Sequence, residues 1–161
     1  MTSASGADII KMNRHVSLFS LVIILVLIDQ FSKWIIAIKM VAGQGIPVFR
    51  NILHVTYLQN TGAGFGILKS QTLLLIWVSV IAVGIILFYF DKIIAGTSVV
   101  RISGALLLSG TIGNLIDRAF LGYVIDFIDF RIWPVFNLAD SFLTIGCFGI
   151  GWVMWQHDKS N

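Results

Sequence analysis

Four long apolar segments dominate the hydrophobicity pattern of this chain. They occupy residues 17–38, 71–90, 98–120 and 137–156. About 20 helical residues, at roughly 1.5 Å each, cross a hydrocarbon core of about 30 Å. We therefore predict a membrane α-helical protein in which one domain, residues 1–161, contains four transmembrane helices. Residues 1–15 are polar and are expected to form a mobile tail.

The connection between the first two predicted helices has a different pattern. Residues 41–68 are too polar and too often interrupted by glycine to cross a membrane. Within them, ILHVTYL alternates and is rich in β-branched and aromatic residues, which is typical of strands. We predict a small interfacial β-sheet, or cradle, over this segment. A short interfacial segment is expected between the third and fourth helices.

Composition agrees with a membrane protein. The chain is 57% hydrophobic and only 12% charged, with a mean hydropathy of +0.91, whereas soluble domains are about a quarter charged. Lysines and arginines flank the apolar segments, as expected of headgroup anchors, so the net charge of +3 does not indicate nucleic acid. These cations are divided almost evenly between the two sides, so charge leaves the orientation open. The lone Cys147 is interpreted as a small core residue.

Charged and polar residues inside the apolar segments need partners or water. Asp29 and Lys33 are four residues apart on the first predicted helix, so they are expected to form an ion pair on one face. The third and fourth helices each carry one stripe of small or polar residues, and the two stripes are expected to face each other. Their members are Gly110, Asn114 and Arg118 on the third helix, and Asn137, Asp140, Ser141 and Thr144 on the fourth.

Carboxylates gather where the third helix ends and the fourth begins. Asp126 and Asp140 are expected at similar depth, because both lie on the same side of the membrane. When two carboxylates share a partly dry site, one keeps a proton and the other acts as a base, which is suited to activating water. Spacing alone does not decide which of Asp117, Asp126 and Asp129 would partner Asp140. Nor does it exclude that Asp140 is an ordinary helix-capping residue.

Other functions also place charges in a membrane. A small transporter or proton-conducting subunit uses intramembrane Asp and Arg to carry ions, and a structural assembly subunit needs no site. The polar groups here gather toward one side and no internal repeat is visible. This asymmetry favours a surface-facing enzyme site. The three histidines are scattered, so no metal site is expected.

Four sequence blocks in order resemble the lipoprotein signal peptidases, also called signal peptidase II. They are DQFSKW at 29–34, QNTGAGFG at 59–66, GNLIDRAFLGYVIDF at 113–127 and FNLADS at 136–141. The family usually has Ala-Ala where this chain has Ala63-Gly64. The resemblance implies an integral-membrane aspartic endopeptidase of bacteria. Such an enzyme removes the signal peptide from diacylglyceryl-modified prolipoproteins, just before the lipidated cysteine.

The resemblance also implies a set of site residues. The catalytic pair is Asp126 and Asp140, whereas Asp117 and Asp129 become supporting or interfacial residues. Residues expected to bind substrate or support the pair are Asn60, Gly62, Asn114, Arg118, Asn137, Asp29 and Lys33. No metal or other cofactor is expected.

Partners and location follow from the same resemblance. The expected partners are the lipid-modified prolipoprotein, membrane lipids and peptide inhibitors of the globomycin type. The chain is expected to be a monomer that crosses the bacterial cytoplasmic (inner) membrane several times. Both termini would be cytoplasmic, with the active site toward the outer face.

Overall fold

Helices dominate the architecture, and a small sheet lies beside them. The computed structural model describes residues 6–62, 68 and 71–159. Their elements, in chain order, are α1 (Gly6–Lys39), β1 (Gly45–Phe49), β2 (Leu53–Asn60), α2 (Thr72–Phe88), α3 (Phe90–Ala95), α4 (Ser98–Leu121), β3 (Val124–Asp129) and α5 (Leu138–Asp158). The predicted class, a helical protein with a small sheet, is confirmed.

Three of these helices are long and apolar enough to cross a membrane. They are Lys11–Lys39 of α1, Ser98–Leu121 and Leu138–Asp158. Helix α2 has 17 residues, or roughly 26 Å of helix, and contains no charged side chain. Several apolar membrane helices are therefore present, while the count of four spans stays a prediction.

The first helix begins earlier than the sequence pattern indicates. Residues 6–15 belong to α1 rather than to a mobile tail. Contacts with α3 help to explain the difference. The His15 ring Nε2 lies 3.1 Å from the Asp91 carboxylate, and Lys11 Nζ lies 3.6 Å from the same oxygen. These contacts join residues distant in sequence, so no local pattern reveals them.

Polar side chains are buried and large apolar side chains are exposed, the reverse of a soluble protein. Asp29 and Asn137 are fully buried, whereas Leu27 is 62% exposed and Phe148 is 76% exposed. Such an apolar exterior matches lipid rather than water. Cys147 is exposed on α5, so its assignment to the core is wrong. The apolar pattern around it marks a lipid-facing surface.

Helix α4 lies centrally and packs against α1, α2 and α5. Glycines allow this close approach. A Cβ atom at Gly113 would lie 2.6 Å from Asp29 Oδ2 and 3.2 Å from Ala139 Cβ, so α1, α4 and α5 meet at a residue without a side chain. Gly122 then ends α4 in the left-handed conformation, at φ +82°, and turns the chain into β3.

The sheet is antiparallel, with strand order β1-β2-β3. The predicted cradle between the first two long helices supplies β1 and β2. The third strand comes from the α4–α5 connection, which was expected to be only an interfacial segment. Asp126 of β3 lies opposite Leu58 of β2, and Ile125 packs against Met40 and Tyr57. Strand pairing thus brings the cradle to the end of α4 and the start of α5. Residues 63–67 of the predicted cradle lie outside the described residues.

Candidate active site

Asp126 is held in β3 with its carboxylate buried and fully hydrogen-bonded. Its side chain is 1% exposed. Oδ1 accepts a hydrogen bond from Asn137 Nδ2 at 2.7 Å, and Oδ2 accepts one from Asn60 Nδ2 at 2.9 Å. The strand contributes the backbone position, and the two amides fix the rotation of the carboxylate.

Asp140 lies in the first turn of α5, where it forms a capping box with Asn137. Asp140 N donates to Asn137 Oδ1 at 2.9 Å, and Asn137 N donates to Asp140 Oδ2 at 3.3 Å. The other carboxylate oxygen, Oδ1, accepts from Asn114 Nδ2 at 2.8 Å. Helix capping therefore fixes this carboxylate, and the capping alternative considered from sequence is compatible with a chemical role.

Two amides join the aspartates into one network. Asn137 Nδ2 donates to Asp126 Oδ1 and to Asn114 Oδ1, the latter at 3.1 Å. Asn114 Oδ1 also accepts from Lys33 Nζ at 3.2 Å. Because its oxygen faces two donors, the Asn114 amide must present its NH₂ group to Asp140. Both stripes predicted on α4 and α5 thus meet, as expected.

A buried cluster of charged side chains lies next to these amides and supports them. Lys33 Nζ lies 2.8 Å from Asp29 Oδ2 and 2.9 Å from Asp117 Oδ2, so the predicted Asp29–Lys33 contact is present. With Asn114 as its third acceptor, the ammonium group uses all three of its protons. Lys33 is 2% exposed and Asp117 is 3% exposed. The cluster therefore lies outside the reach of solvent.

The cluster is also tied to the backbone by contacts that the sequence pattern does not indicate. Asp29 Oδ1 accepts from Ala139 N at 2.9 Å, and Asp117 Oδ2 accepts from Ile125 N at 3.1 Å. Ala139 precedes Asp140, and Ile125 precedes Asp126. Each supporting carboxylate therefore holds the residue next to one member of the aspartate pair. Gln30, adjacent to Asp29 in DQFSKW, was also missed; its side chain donates to Asp117 Oδ1 at 2.9 Å.

Both aspartates line one cavity of about 690 Å³. Arg118 and Asn60 also line it, and an apolar rim includes Trp133 and Pro134. Arg118 Nη2 donates to the Gly62 carbonyl oxygen at 3.1 Å, and Gly62 N donates to Asn60 Oδ1 at 2.9 Å. Polar groups thus line one part of a largely apolar cavity that is large enough for a peptide segment.

Asp129 has a separate environment. Its Oδ2 accepts from Thr56 Oγ1 at 2.9 Å and from Arg131 Nη1 at 3.1 Å, and its Oδ1 accepts from Arg131 N at 2.8 Å. Although burial opposes ionisation, these hydrogen bonds prevail and hold the pKa of Asp129 below its ordinary value. A stably ionised carboxylate paired with arginine organises the turn after β3.

Asp126 has the opposite electrostatics. Burial first, and then the charge of Asp140, raise the pKa of Asp126 to about 7, against the opposing effect of hydrogen bonds from Asn60 and Asn137. Near neutral pH this site therefore holds a proton in equilibrium with the ionised form. That state equips a carboxyl group for acid–base chemistry.

No group of three or more His, Cys, Asp or Glu side chains suited to a metal ion occurs among the described residues. The neighbours of Asp126 and Asp140 are amide groups, which donate hydrogen bonds through nitrogen. The chemistry of this chain's own residues at the site is therefore that of two carboxyl groups fixed by neutral donors.

Comparisons with known proteins agree on one family. The family model described as signal peptidase (SPase) II matches residues 21–156, a range that includes both aspartates. The lipoprotein signal peptidase of Halothermothrix orenii is 43% identical over 141 residues, which cover 88% of this chain and 97% of that protein. The one from Moorella thermoacetica is 43% identical over 135 residues, covering 83% and 90% of the two chains.

Two solved structures have a similar fold. A bacterial membrane enzyme determined by the in meso method at 2.3 Å resolution aligns with a TM-score of 0.84 and 31% identity, over 90% of this chain and 91% of that chain. A second one, determined at 1.9 Å, aligns with a TM-score of 0.75 and 32% identity over 86% and 92% of the two chains. Both neighbours support a membrane protein with several transmembrane helices.

Lys33→Met tests whether the ion cluster supports the site. The change leaves two buried carboxylates, Asp29 and Asp117, without their cation, so we expect a loss of about 3–5 kcal/mol of stability. Thermal unfolding in detergent measures it. Lys39→Met removes the same charge from the exposed end of α1 and should unfold like the wild type. Equal melting temperatures for both variants would contradict a supporting role.

Proposed function

The chain belongs to the signal peptidase II family, and on this premise we propose that it cleaves the signal peptide from diacylglyceryl-modified prolipoproteins. The cut falls just before the lipidated cysteine, and Asp126 and Asp140 activate the attacking water. The observation that carries the assignment is the double contact of Asn137, whose Nδ2 donates to Asp126 while its backbone N donates to Asp140. One residue thereby fixes both carboxylates at the wall of one cavity.

We propose that Asp126 carries the proton of the pair, a role that its pKa, raised to about 7, supports. In its protonated form Asp126 hydrogen-bonds the scissile carbonyl oxygen. Asp140 accepts a proton from water as the water oxygen attacks the carbonyl carbon. As the tetrahedral intermediate collapses, the C–N bond breaks and Asp140 transfers the proton it took from water to the leaving amine. The step needs no covalent enzyme intermediate.

The remaining polar residues position the substrate. Arg118 reaches the cavity with one guanidinium nitrogen already bound to the Gly62 carbonyl, and its other N–H groups can donate to a substrate backbone. Asn60 bonds Asp126 and so acts through it. Asn114 and Asn137 hold the aspartate pair. Lys33 in turn holds Asn114, and Asp29 holds the start of α5.

We propose that an apolar groove on α5 binds an acyl chain of the substrate. It has a volume of about 730 Å³ and shares Leu143 and Thr144 with the aspartate cavity. Cys147, Phe148 and Trp152 continue its wall along the lipid-facing side of α5. A lipid attached next to the scissile bond would leave the polar cavity through this shared boundary. Recognition of the acyl chain then favours the lipidated substrate.

The position of the site supports our proposal for orientation. The aspartates lie where α4 ends and α5 begins, at the end of the helices opposite to the start of α1 and the end of α5. We propose that this end faces the outer side of the bacterial inner membrane, where exported precursors carry their modified cysteine, and that both termini are cytoplasmic. The same cavity would receive globomycin-type peptides, and one chain contains every proposed site residue, consistent with a monomer.

Asparagine variants test the pair. Asp126→Asn and Asp140→Asn keep the side-chain shape and one acceptor oxygen but remove acid–base function, so we expect cleavage of a diacylglyceryl-modified prolipoprotein to fall on the order of 100- to 10,000-fold. Asp129→Asn is the matched control on the same strand and should keep most activity. Wild-type rates in both dyad variants would disprove the mechanism. Equal cleavage of an unlipidated precursor would disprove the substrate assignment.

The pH profile tests the proton assignment. Cleavage should decline as pH rises through about 7, because Asp126 then loses the proton it donates. Asn60→Ala removes a hydrogen bond that favours the ionised form, so the pKa of Asp126 should rise and the decline should shift to higher pH. Gln59→Ala is the control, since Gln59 donates to the Tyr57 hydroxyl instead. An unshifted or lowered midpoint in Asn60→Ala would contradict the assignment.

Gly151→Trp tests the groove. A Cβ atom at Gly151 would meet no atom within 4 Å, so a side chain can leave the helix there without a clash, and the indole would fill the groove that Gly151 lines. We expect KM for the lipidated substrate to rise with folding unchanged. Gly84→Trp, on α2 and equally free of neighbours, is the control. If both variants cleave like the wild type, the acyl chain lies elsewhere, whereas the dyad assignment is unaffected.

A further inference from the structure

A second cleft opens between α1 and α4, far from the aspartate pair. It has a volume of about 380 Å³. Its polar side carries Arg14 and Arg101, with Asn13 and Ser17 beside them, and its apolar side is formed by Leu18, Leu21 and Ile102. Residues 6–15, expected from sequence to be a tail, supply part of one wall because they are helical.

The two arginines face this cleft with no carboxylate partner among the side chains that the structure describes. Among the residues that the structure describes, neither forms an ion pair with a carboxylate, and Asp91 is already engaged by Lys11 and His15. The Arg101 guanidinium is held in place by the Gly96 carbonyl at 2.6 Å and by Ser98 Oγ at 2.9 Å. A guanidinium has five N–H donors, so a fixed Arg101 still has donors for an anion.

The depth of the cleft places it at the opposite membrane surface. Arg14 precedes Lys33 by 19 residues along α1, or roughly 28 Å of helix. Arg101 precedes Asn114 by 13 residues along α4, or roughly 20 Å. The separation along α1 approaches the thickness of a hydrocarbon core of about 30 Å, and the one along α4 covers about two thirds of it. The arginines therefore lie at headgroup level. Leu18 and Leu21 lie one turn or more further along α1, and Ile102 faces the lipid.

We propose that this cleft binds one anionic glycerophospholipid of the membrane leaflet that contacts the chain termini. Arg14 and Arg101 bind the phosphate, because guanidinium groups match phosphate oxygens in charge and geometry. One acyl chain lies on the apolar side formed by Leu18, Leu21 and Ile102. Ile102 is 52% exposed, so the cleft is open to the surrounding acyl chains. A soluble phosphate would leave this apolar wall unused.

Native mass spectrometry of the full chain in detergent tests the site. The protein is titrated with phosphatidylglycerol and, separately, with phosphatidylcholine of identical acyl chains. We expect one phosphatidylglycerol to bind roughly tenfold more tightly than phosphatidylcholine, because the choline ammonium cancels the charge of the phosphate that faces the two arginines, whereas phosphatidylglycerol stays net negative. Equal affinities for the two lipids would overturn the proposal.

Matched variants separate the cleft from general surface charge. Arg14→Gln is the primary change, because Arg14 forms no hydrogen bond or ion pair with a described residue, and it should weaken phosphatidylglycerol binding about fivefold. Ser17→Trp fills the cleft with both arginines kept and should also remove the bound lipid. Lys92→Gln removes one charge outside the cleft, where Lys92 lies 5.1 Å from the Tyr89 ring centre, and should bind like the wild type. An equal loss in Lys92→Gln would overturn the proposal.

A competition experiment distinguishes the lipid from a free phosphate. Glycerophosphoglycerol, the deacylated headgroup, is added at the concentration of the bound phosphatidylglycerol. It should leave the lipid in place, because the acyl contact is absent. Displacement of the lipid by this headgroup would show a soluble-phosphate site and overturn the lipid assignment.

Discussion

A lysine ammonium buried between two carboxylates is the interaction on which the rest of the site depends. Lys33 contacts Asp29, Asp117 and Asn114, and it comes from α1 while two of these partners come from α4. Charges in an apolar bilayer are costly unless they are paired. The cluster therefore fixes the position of α1 relative to α4 along the membrane normal. Asp29 also connects α5 to the cluster, because it accepts a hydrogen bond from Ala139 N.

Hydrogen bonds of neutral amides connect this cluster to the two aspartates. Asn114 is oriented by Lys33 and presents its NH₂ group to Asp140, while Asn137 caps α5 and reaches Asp126 on the sheet. Amides add donors without adding charge, so the aspartates are oriented while their mutual repulsion is kept. That repulsion, together with burial, raises the pKa of Asp126. Fixed geometry and a retained proton are what acid–base cleavage of a peptide bond requires.

Local patterns predicted much of this arrangement, and most of the exceptions depend on contacts between residues far apart in sequence. Apolar length located the long helices, and four-residue spacing located the Asp29–Lys33 contact and the facing stripes of α4 and α5. Spacing could not choose among Asp117, Asp126 and Asp129, because the choice depends on β3 pairing with the distant β2. The start of α1 and the contact of Gln30 with Asp117 also depend on residues far apart in sequence. Residue type did not reveal Cys147 as exposed, since buried and lipid-facing positions are equally apolar.

We propose that Asp126 carries the proton of the carboxyl pair near neutral pH. Infrared difference spectroscopy of the carboxyl C=O stretch, recorded on the membrane-embedded enzyme across pH 7, measures this proton directly. We expect a carboxyl band that disappears as pH rises through about 7 and that is missing in Asp126→Asn but kept in Asp129→Asn. A band that persists unchanged in Asp126→Asn, or the lack of any carboxyl band titrating in this range, would contradict the account.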